Sequence, residues 1–422
     1  MKLKPHQEKT VVEAGRVLKE KGCVYVALEC RVGKTLVALE LAKSVGGRVL
    51  FITPKKAISS IFADSEAMGG WGEQLVVLNR ESLHKVAGEE FSVVIADEGH
   101  RDGGFPKPNG GCQLMEEIAR RAKACIILSG TPSVESASQL FHQFWWTNKG
   151  PWKRYSGKRG FYGWHRDFGV PKLKRVAGGQ EVKDYSEMRG EVLEHVKPFM
   201  VTMTQEDAGF KYAPQVIPHR VEPHQSLLAW SKSFEKKGIW QEGERVVLGE
   251  NPASILQKRH MAEGGTLIDE DGVGFTHDFY PFYKINYMIE RMEKGKEYAI
   301  TTAYIHERQF IVDELEASGF KVVIELEDFV EGCGAIFVGS GISNAEGVDL
   351  SWMTGSMIIY SLNWSGSKFL QLLERQNNFK RDRPIKVHVL LCKGGVDETV
   401  FEAVNNKQNF NRSFFKMQGK KS

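Results

Sequence analysis

Long apolar runs are missing from this chain. No stretch approaches the ~18 consecutive apolar residues that a membrane-spanning helix requires. The N-terminal residues Met1 to Lys9 are polar and lack the apolar core of a signal peptide. Cysteine is sparse: Cys23, Cys30, Cys112, Cys125, Cys333 and Cys392 show no C-x-x-C spacing, and several sit inside apolar runs. That pattern argues against a disulfide framework or a zinc site and for buried thiols in a reducing compartment. A cytoplasmic protein is expected. No short-period repeat is visible. The net charge of +4 over 422 residues says little by itself, so the distribution of charge has to carry any argument about partners.

What is present is a series of short apolar strands alternating with helical stretches. Val24–Leu28, Arg48–Thr53, Leu75–Leu78, Phe91–Ala96 and Cys125–Leu128 read as buried strands in the first half. Tyr298–Thr302, Val322–Leu326, Ala335–Val338, Met357–Tyr360 and Val387–Leu391 read as a second set. The alternation predicts an α/β fold with two parallel sheets, and the length suits two or three domains. Ligands gather at the carboxyl ends of strands in such sheets. Polar strings sit at those ends here: Gly33-Lys34-Thr35, Thr53-Pro54-Lys55-Lys56, Asp97-Glu98-Gly99-His100 and Ser129-Gly130-Thr131-Pro132.

The first string follows a buried strand and opens an amphipathic helix bearing Leu36, Val37, Leu39 and Leu41. Strand, tight loop and helix N-terminus point backbone N–H groups at one spot, which suits a phosphate. Lys34 would reach the outer phosphates and Thr35 would ligate magnesium. The glycine that normally opens such a loop is Leu28 here. Asp97 and Glu98 supply adjacent carboxylates, Asp97 to hold Mg2+ and Glu98 to orient water in nucleotide hydrolysis.

In order and spacing these strings resemble motifs I, II and III of superfamily-two helicases, in the Swi/Snf-type branch. They are most similar to compact members encoded by bacteriophages, which would place the protein in a host cytoplasm. The resemblance implies two RecA-like domains with an ATP cleft between them. Leu3-Lys4-Pro5-His6-Gln7 resembles the family leader, whose glutamine, here Gln7, contacts adenine. Ile52-Thr53-Pro54 resembles motif Ia and Asn79-Arg80-Glu81-Ser82-Leu83 the motif Ib region. Glu346-Gly347-Val348-Asp349-Leu350 resembles motif V, which implies that Gly347 and Asp349 face nucleotide and nucleic acid. Gln371, Glu374 and Arg375 resemble the start of motif VI. His100, Ser129, Thr131 and Gln371 would couple the nucleotide site to motion. Two departures stand out. Arg31 occupies a position that is usually glycine, and it either changes the loop or touches phosphate itself. Asn378 falls where the second arginine of motif VI is expected. Arg375 is then the leading finger candidate, with Lys380, Arg381 and Arg383 as substitutes.

Residues 151–176 interleave Trp152, Tyr155, Phe161, Tyr162, Trp164 and Phe168 with many cations, against the single acid Asp167. Cations neutralise phosphates and aromatic faces stack on bases. Lys153, Arg154, Lys158, Arg159 and Trp164 are therefore candidate nucleic-acid contacts; the alternative is a protruding subdomain with its own small aromatic core. Lys55, Lys56 and Arg80 are candidates for the tracked strand. The expected division is a first domain at 1–207 with an insertion at about 146–207, a mostly helical connector at 208–275, a second domain at 276–408, and a basic tail at 409–422.

The expected activity is an ATP- and Mg2+-dependent DNA helicase or translocase, acting as a monomer in replication, recombination or repair. Duplex, fork and junction DNA are all possible partners. A branch-migration or fork-remodelling enzyme, an RNA helicase, and a non-hydrolysing nucleic-acid clamp stand as alternatives.

Overall fold

Each central strand is a continuous apolar run because helices cover both faces of a parallel sheet. β1 (Cys23–Leu28) is buried at all of its positions. In the computed structural model it is flanked by β5 (Ala124–Ser129) and β8 (Met200–Met203). β2 (Val49–Ile52), β3 (Leu75–Leu78) and β4 (Val93–Ala96) complete a six-stranded sheet in the order β3-β2-β4-β5-β1-β8, parallel throughout. β6 (Lys172–Arg175) and β7 (Glu181–Asp184) form a separate antiparallel ribbon. The structure describes residues 2–102, 108–132, 138–155, 157, 160–175, 181–340, 352–353, 355–375, 377, 379 and 383–406.

The chain divides into two units, Met1–Phe210 and Lys211–Asn406. In the second unit, β9 (Gln215–Val221) is followed by two small hairpins. These are β10 (Ile239–Glu242) with β11 (Arg245–Leu248), and β12 (Thr266–Ile268) with β13 (Gly274–Thr276). β14 (Tyr298–Thr302), β15 (Val322–Val323), β16 (Ile336–Ser340), β17 (Met357–Ile359) and β18 (Lys386–Cys392) follow. The sheet runs β15-β16-β14-β17-β18-β9, again parallel throughout. The expected α/β architecture of two parallel sheets is what the chain adopts.

Two differences concern edges and boundaries. The sixth strand of each sheet, β8 and β9, was not expected from the sequence. β9 carries Pro218, which has no N–H to give and is tolerated because only β18 lies beside it. The stretch read as a connector belongs to the second unit. Helices Gln225–Lys237 and Pro252–Glu263 share a core with Tyr283 and Cys392 through Trp230, Phe234 and Met261.

Under that core lies a sealed ionic cluster. Lys284 is 0% exposed and donates to Asp397 Oδ2 at 2.6 Å; His260 Nε2 lies 3.0 Å from Asp397 Oδ1. Glu263 accepts the N–H groups of Val396 and Asp397 at 2.6 and 2.8 Å, where helical residues 396–406 begin. That is the favourable end of a helix for a carboxylate. All six cysteines are free thiols, five of them buried. No helix among the described residues is long and apolar enough to cross a membrane.

Candidate nucleotide site at the strand ends of the first unit

The loop after β1 leads into helix Lys34–Val45, whose N-cap residue Gly33 has φ +102°. That left-handed backbone suits glycine. Space demands it too, since a Cβ on Gly33 would stand 2.0 Å from Gln7 Nε2. Gln7 is buried on helix Pro5–Lys21 and ties that helix to the loop. Its Nε2 donates to Val32 O at 3.3 Å and its Oε1 accepts from Lys4 N at 2.8 Å. Arg31 takes φ +64°. A side chain in that region costs about 1–2 kcal/mol, so the arginine holds the shape a glycine would hold without strain. The loop is braced from the far side by Gln205, which the sequence did not single out. Gln205 Nε2 donates to Cys30 O at 3.0 Å and its backbone N donates to Glu29 Oε2 at 2.6 Å.

Lys34 Nζ donates to Leu28 O at 2.8 Å and to Glu29 O at 3.4 Å. The ammonium therefore sits within the loop it serves. A Cβ on Gly130 would lie 3.1 Å from Lys34 Nζ, so the glycine of Ser129-Gly130-Thr131 leaves room for the lysine. β5 and β1 are adjacent strands, and their register brings these two strings together.

Asp97 and Glu98 follow β4, next to β5. Thr53 Oγ1 donates to Asp97 Oδ2 at 2.8 Å and Glu98 N donates to Asp97 Oδ1 at 2.9 Å, which fixes the carboxylate. Burial raises the Asp97 pKa and the neighbouring Glu98 charge raises it further, while the Thr53 hydrogen bond and Lys34 oppose both. A cation beside Asp97 would favour its ionised form. Glu98 has φ +51°, a second left-handed residue with a side chain. Gly99 follows where no Cβ fits, since one would meet Ile127 Cγ2 at 2.4 Å.

His100 joins the acidic turn to the string after β5. Its Nδ1 lies 3.0 Å from Ser129 Oγ, 3.5 Å from Thr131 Oγ1 and 3.3 Å from Glu98 Oε2. Ser129 Oγ accepts Thr131 N at 3.0 Å, which leaves its hydroxyl hydrogen for the imidazole. Nδ1 can accept from Ser129 when neutral or donate to Glu98 when protonated.

Arg80, expected on nucleic acid, is engaged within the protein. Its Nε donates to Asp102 Oδ1 at 2.6 Å and its Nη2 donates to Asp97 O and Glu98 O at 2.6 and 3.3 Å. Arg80 thus holds the acidic turn from beneath. Burial pushes the Asp102 carboxyl up to about 6, against the opposing pull of Arg80. Trp164 is a correction: it is 0% exposed, packed between Trp152, Phe141 and Phe161, and cannot stack on a base. Its residue type suited stacking, but its place on helix Gly160–Phe168 turns it inward with Phe161 and Phe168.

Lys55 and Lys56 are exposed on the turn after β2. A cavity of about 720 Å³ adjoins Lys55, lined also by Thr53, Asn79, Arg80, Arg101 and Asn109 among others. Lys153 is exposed, and Arg154 lies over the Tyr155 and Phe168 rings at 4.7 and 5.7 Å. Gln371 is buried on helix Gly366–Arg375, where Arg375 is the last residue. Lys158, Arg159, Gly347, Asp349, Asn378, Lys380, Arg381, the side chain of Arg375 and the tail 409–422 lie outside the described residues. Thr35 begins the helix one residue after Lys34. Its hydroxyl and the Asp97 carboxylate are hard oxygen donors of the kind Mg2+ takes, so the residues present fit that ion.

No family model matches this chain. Among curated proteins, the bifunctional helicase and thymine dioxygenase JBP2 of Leishmania braziliensis is 30% identical over 189 residues, covering 34% of this chain and 17% of that protein. The protein of the same name from Leishmania major is 30% identical over 180 residues, covering 32% and 16%. The chain spans about a sixth of the length of these relatives. Among solved structures, the Pyrococcus furiosus Hef helicase domain aligns with TM-score 0.52 at 12% identity, over 96% of this chain and 98% of that one. The Sulfolobus solfataricus SWI2/SNF2 ATPase core in complex with dsDNA aligns with TM-score 0.42 at 14% identity, over 100% and 95%. The likeness to the Hef domain shows the fold alone, two RecA-like units each built on a parallel sheet.

Proposed function

We propose that the chain is an ATP-dependent DNA helicase or translocase that couples ATP hydrolysis to movement along DNA. The observation that carries this reading is the convergence, at the carboxyl ends of β1, β4 and β5, of Lys34, the Asp97-Glu98 pair and Ser129-Gly130-Thr131, with His100 bridging the last two. Relatives whose name includes helicase, and a helicase-type fold, support it.

In this reading the loop N–H groups and the N-terminus of helix Lys34–Val45 cradle the phosphates of ATP. Lys34 leaves its carbonyl partners to neutralise the outer phosphates. Thr35 and Asp97 would hold Mg2+, which would supply neutralising charge for the phosphates when bound. Glu98 orients the attacking water. Gln7 reads the adenine and shapes the loop at Gly33. Arg375 of the second unit is the candidate for charge stabilisation in transfer, with Gln371, Gly347 and Asp349 beside it in function. His100 reports the state of Glu98 to Ser129 and Thr131. DNA contacts are assigned to Lys55, Lys56, Lys153 and Arg154, with Lys158 and Arg159 as further candidates.

Phosphate release from ATP, measured with and without DNA, tests the proposal. Wild-type protein is expected to hydrolyse ATP faster with DNA, and Lys34→Ala is expected to lose that activity. DNA-stimulated hydrolysis that survives Lys34→Ala would overturn the assignment.

A further inference from the structure

Burial of Trp164 leaves the insertion's chemistry for nucleic acid on its outer side. There the antiparallel ribbon β6–β7 and helix Gly160–Phe168 enclose a cavity of about 370 Å³, lined by Tyr162, His165, Arg166, Leu173, Lys183 and Tyr185 with their neighbours Lys172 and Asp184. Ligand pockets run from roughly 300 to 1,000 Å³, so this one has room for a single small group. Resting on the nucleic-acid reading above, we infer that this cavity receives one unpaired nucleobase of a DNA strand, a site distinct from the nucleotide loop and from the buried aromatic core.

Three observations carry the inference. The first is an aromatic wall. The Tyr162 and Tyr185 rings meet edge to face at 5.6 Å and 73°, and the His165 ring meets Tyr185 at 4.9 Å and 80°. Tyr162 is 38% exposed, so an incoming ring can reach it. The second is the rim, where Arg166, Lys172 and Lys183 outnumber Asp184. Arg166 and Lys172 are paired with Asp167 and Glu187 at 3.1 and 2.5 Å, in water-exposed geometry that a phosphate can share or displace. The third is Leu173, 64% exposed on the ribbon although it lines the cavity. Behind the aromatic wall His165 is only 7% exposed, and its Nε2 edge packs toward Gly169, where a Cβ would stand 2.4 Å from it.

The shape selects an unpaired base. In a duplex both faces of a base are covered by its neighbours, and only an unstacked base can enter a concave aromatic pocket. Stacking against such a wall is indifferent to base identity, so the site fits a motor that must grip any sequence.

The test uses the full chain and a short DNA strand carrying one 2-aminopurine, whose fluorescence falls when it stacks. Wild-type protein is expected to quench the probe in a single strand and not in a fully paired duplex. Tyr162→Ala is expected to weaken single-strand binding roughly 5- to 150-fold, and Tyr162→Phe to restore it. Duplex affinity should change less than about twofold, because it is set by phosphate contacts elsewhere. Lys183→Ala should reduce the slope of log affinity against log salt by about 0.7. Tyr162→Ala with unchanged single-strand affinity and quenching would overturn the inference. So would equal losses on single strand and duplex, the mark of a general surface effect. Basal ATP hydrolysis separates the two proposals: quenching without hydrolysis in wild type would sink the motor reading alone, and hydrolysis with an indifferent Tyr162→Ala would sink this pocket alone.

Discussion

Both units contain a lysine, an aspartate, a histidine and glutamates held close together, yet the two clusters are built to different ends. In the second unit Lys284, Asp397 and His260 are shut away from water, and Asp397 accepts from Lys284, from His260 and from the N–H of Cys392. Burial alone would raise Asp397, but Lys284 and then His260 hold it down at about 2. In the first unit Asp97 and Glu98 are only half-buried at a strand end. Two non-glycine residues there hold left-handed backbone, and Lys34 donates to the carbonyls of Leu28 and Glu29. In the sealed cluster Lys284, His260 and Asp397 pair with one another and tie helices 252–263, 283–289 and 396–406 to β18. The open one carries strain and unspent charge, which is what a site that must accept and release a ligand requires.

The two lysines differ most in what their loss should do. Lys284→Ala removes the partner of a buried carboxylate and is expected to cost about 3–5 kcal/mol of stability, read as a lower denaturant midpoint for the second unit. Lys34→Ala is expected to leave thermal stability near wild type while phosphate release falls about 10²- to 10³-fold. If Lys284→Ala were harmless to stability, or Lys34→Ala unfolded the protein, the contrast would collapse.

A smaller effect separates the clusters by pH. Burial pushes the Glu307 carboxyl up to about 7, with Lys284 and a hydrogen bond from Ser361 opposing. A carboxyl raised on folding contributes stability below its unfolded value of about 4.5, and that contribution is lost as pH rises through about 7. Glu307→Gln should therefore flatten the fall of stability between pH 4.5 and 7 and stabilise the second unit at pH 8, by at most about 3 kcal/mol. Urea melts across that range check it; an unchanged slope would show Glu307 to be ionised without penalty.

Smaller again is the effect of His100→Ala. With the link to Ser129 removed, basal hydrolysis is expected to stay within about threefold, while stimulation by DNA falls about tenfold, the cost of roughly 1.4 kcal/mol of coupling. Equal losses with and without DNA would make His100 a support for Glu98 rather than a link.

The sequence made the sheet interiors legible because burial on both faces forces unbroken apolar runs. Leu75–Leu78 and Tyr298–Thr302 fold as strands with those very ends. The edges were not legible. Met200–Met203 is short and Gln215–Val221 mixes Pro218, His219 and Arg220 into a strand that one neighbour alone must tolerate. The same divide runs through the site. Gly33, Lys34, Asp97 and Glu98 were legible as candidates because the chemistry proposed for them requires adjacent residues. Thr53, Asp102 and Gln205 act through contacts made only in space, from 44, 22 and 175 residues away. Arg80 and Trp164 have residue types that suit DNA, but Asp102 claims one and a core of rings claims the other.

The most direct measurement of the central claim sets ATP binding against ATP hydrolysis in Glu98→Gln. That change keeps the shape of the turn and removes the carboxylate from the water. Glu98→Gln is expected to bind ATP as tightly as wild type and to hydrolyse it about 10²- to 10⁴-fold more slowly with DNA present. DNA-stimulated hydrolysis at the wild-type rate in Glu98→Gln would contradict this, and the open cluster of the first unit would not be the site of ATP chemistry.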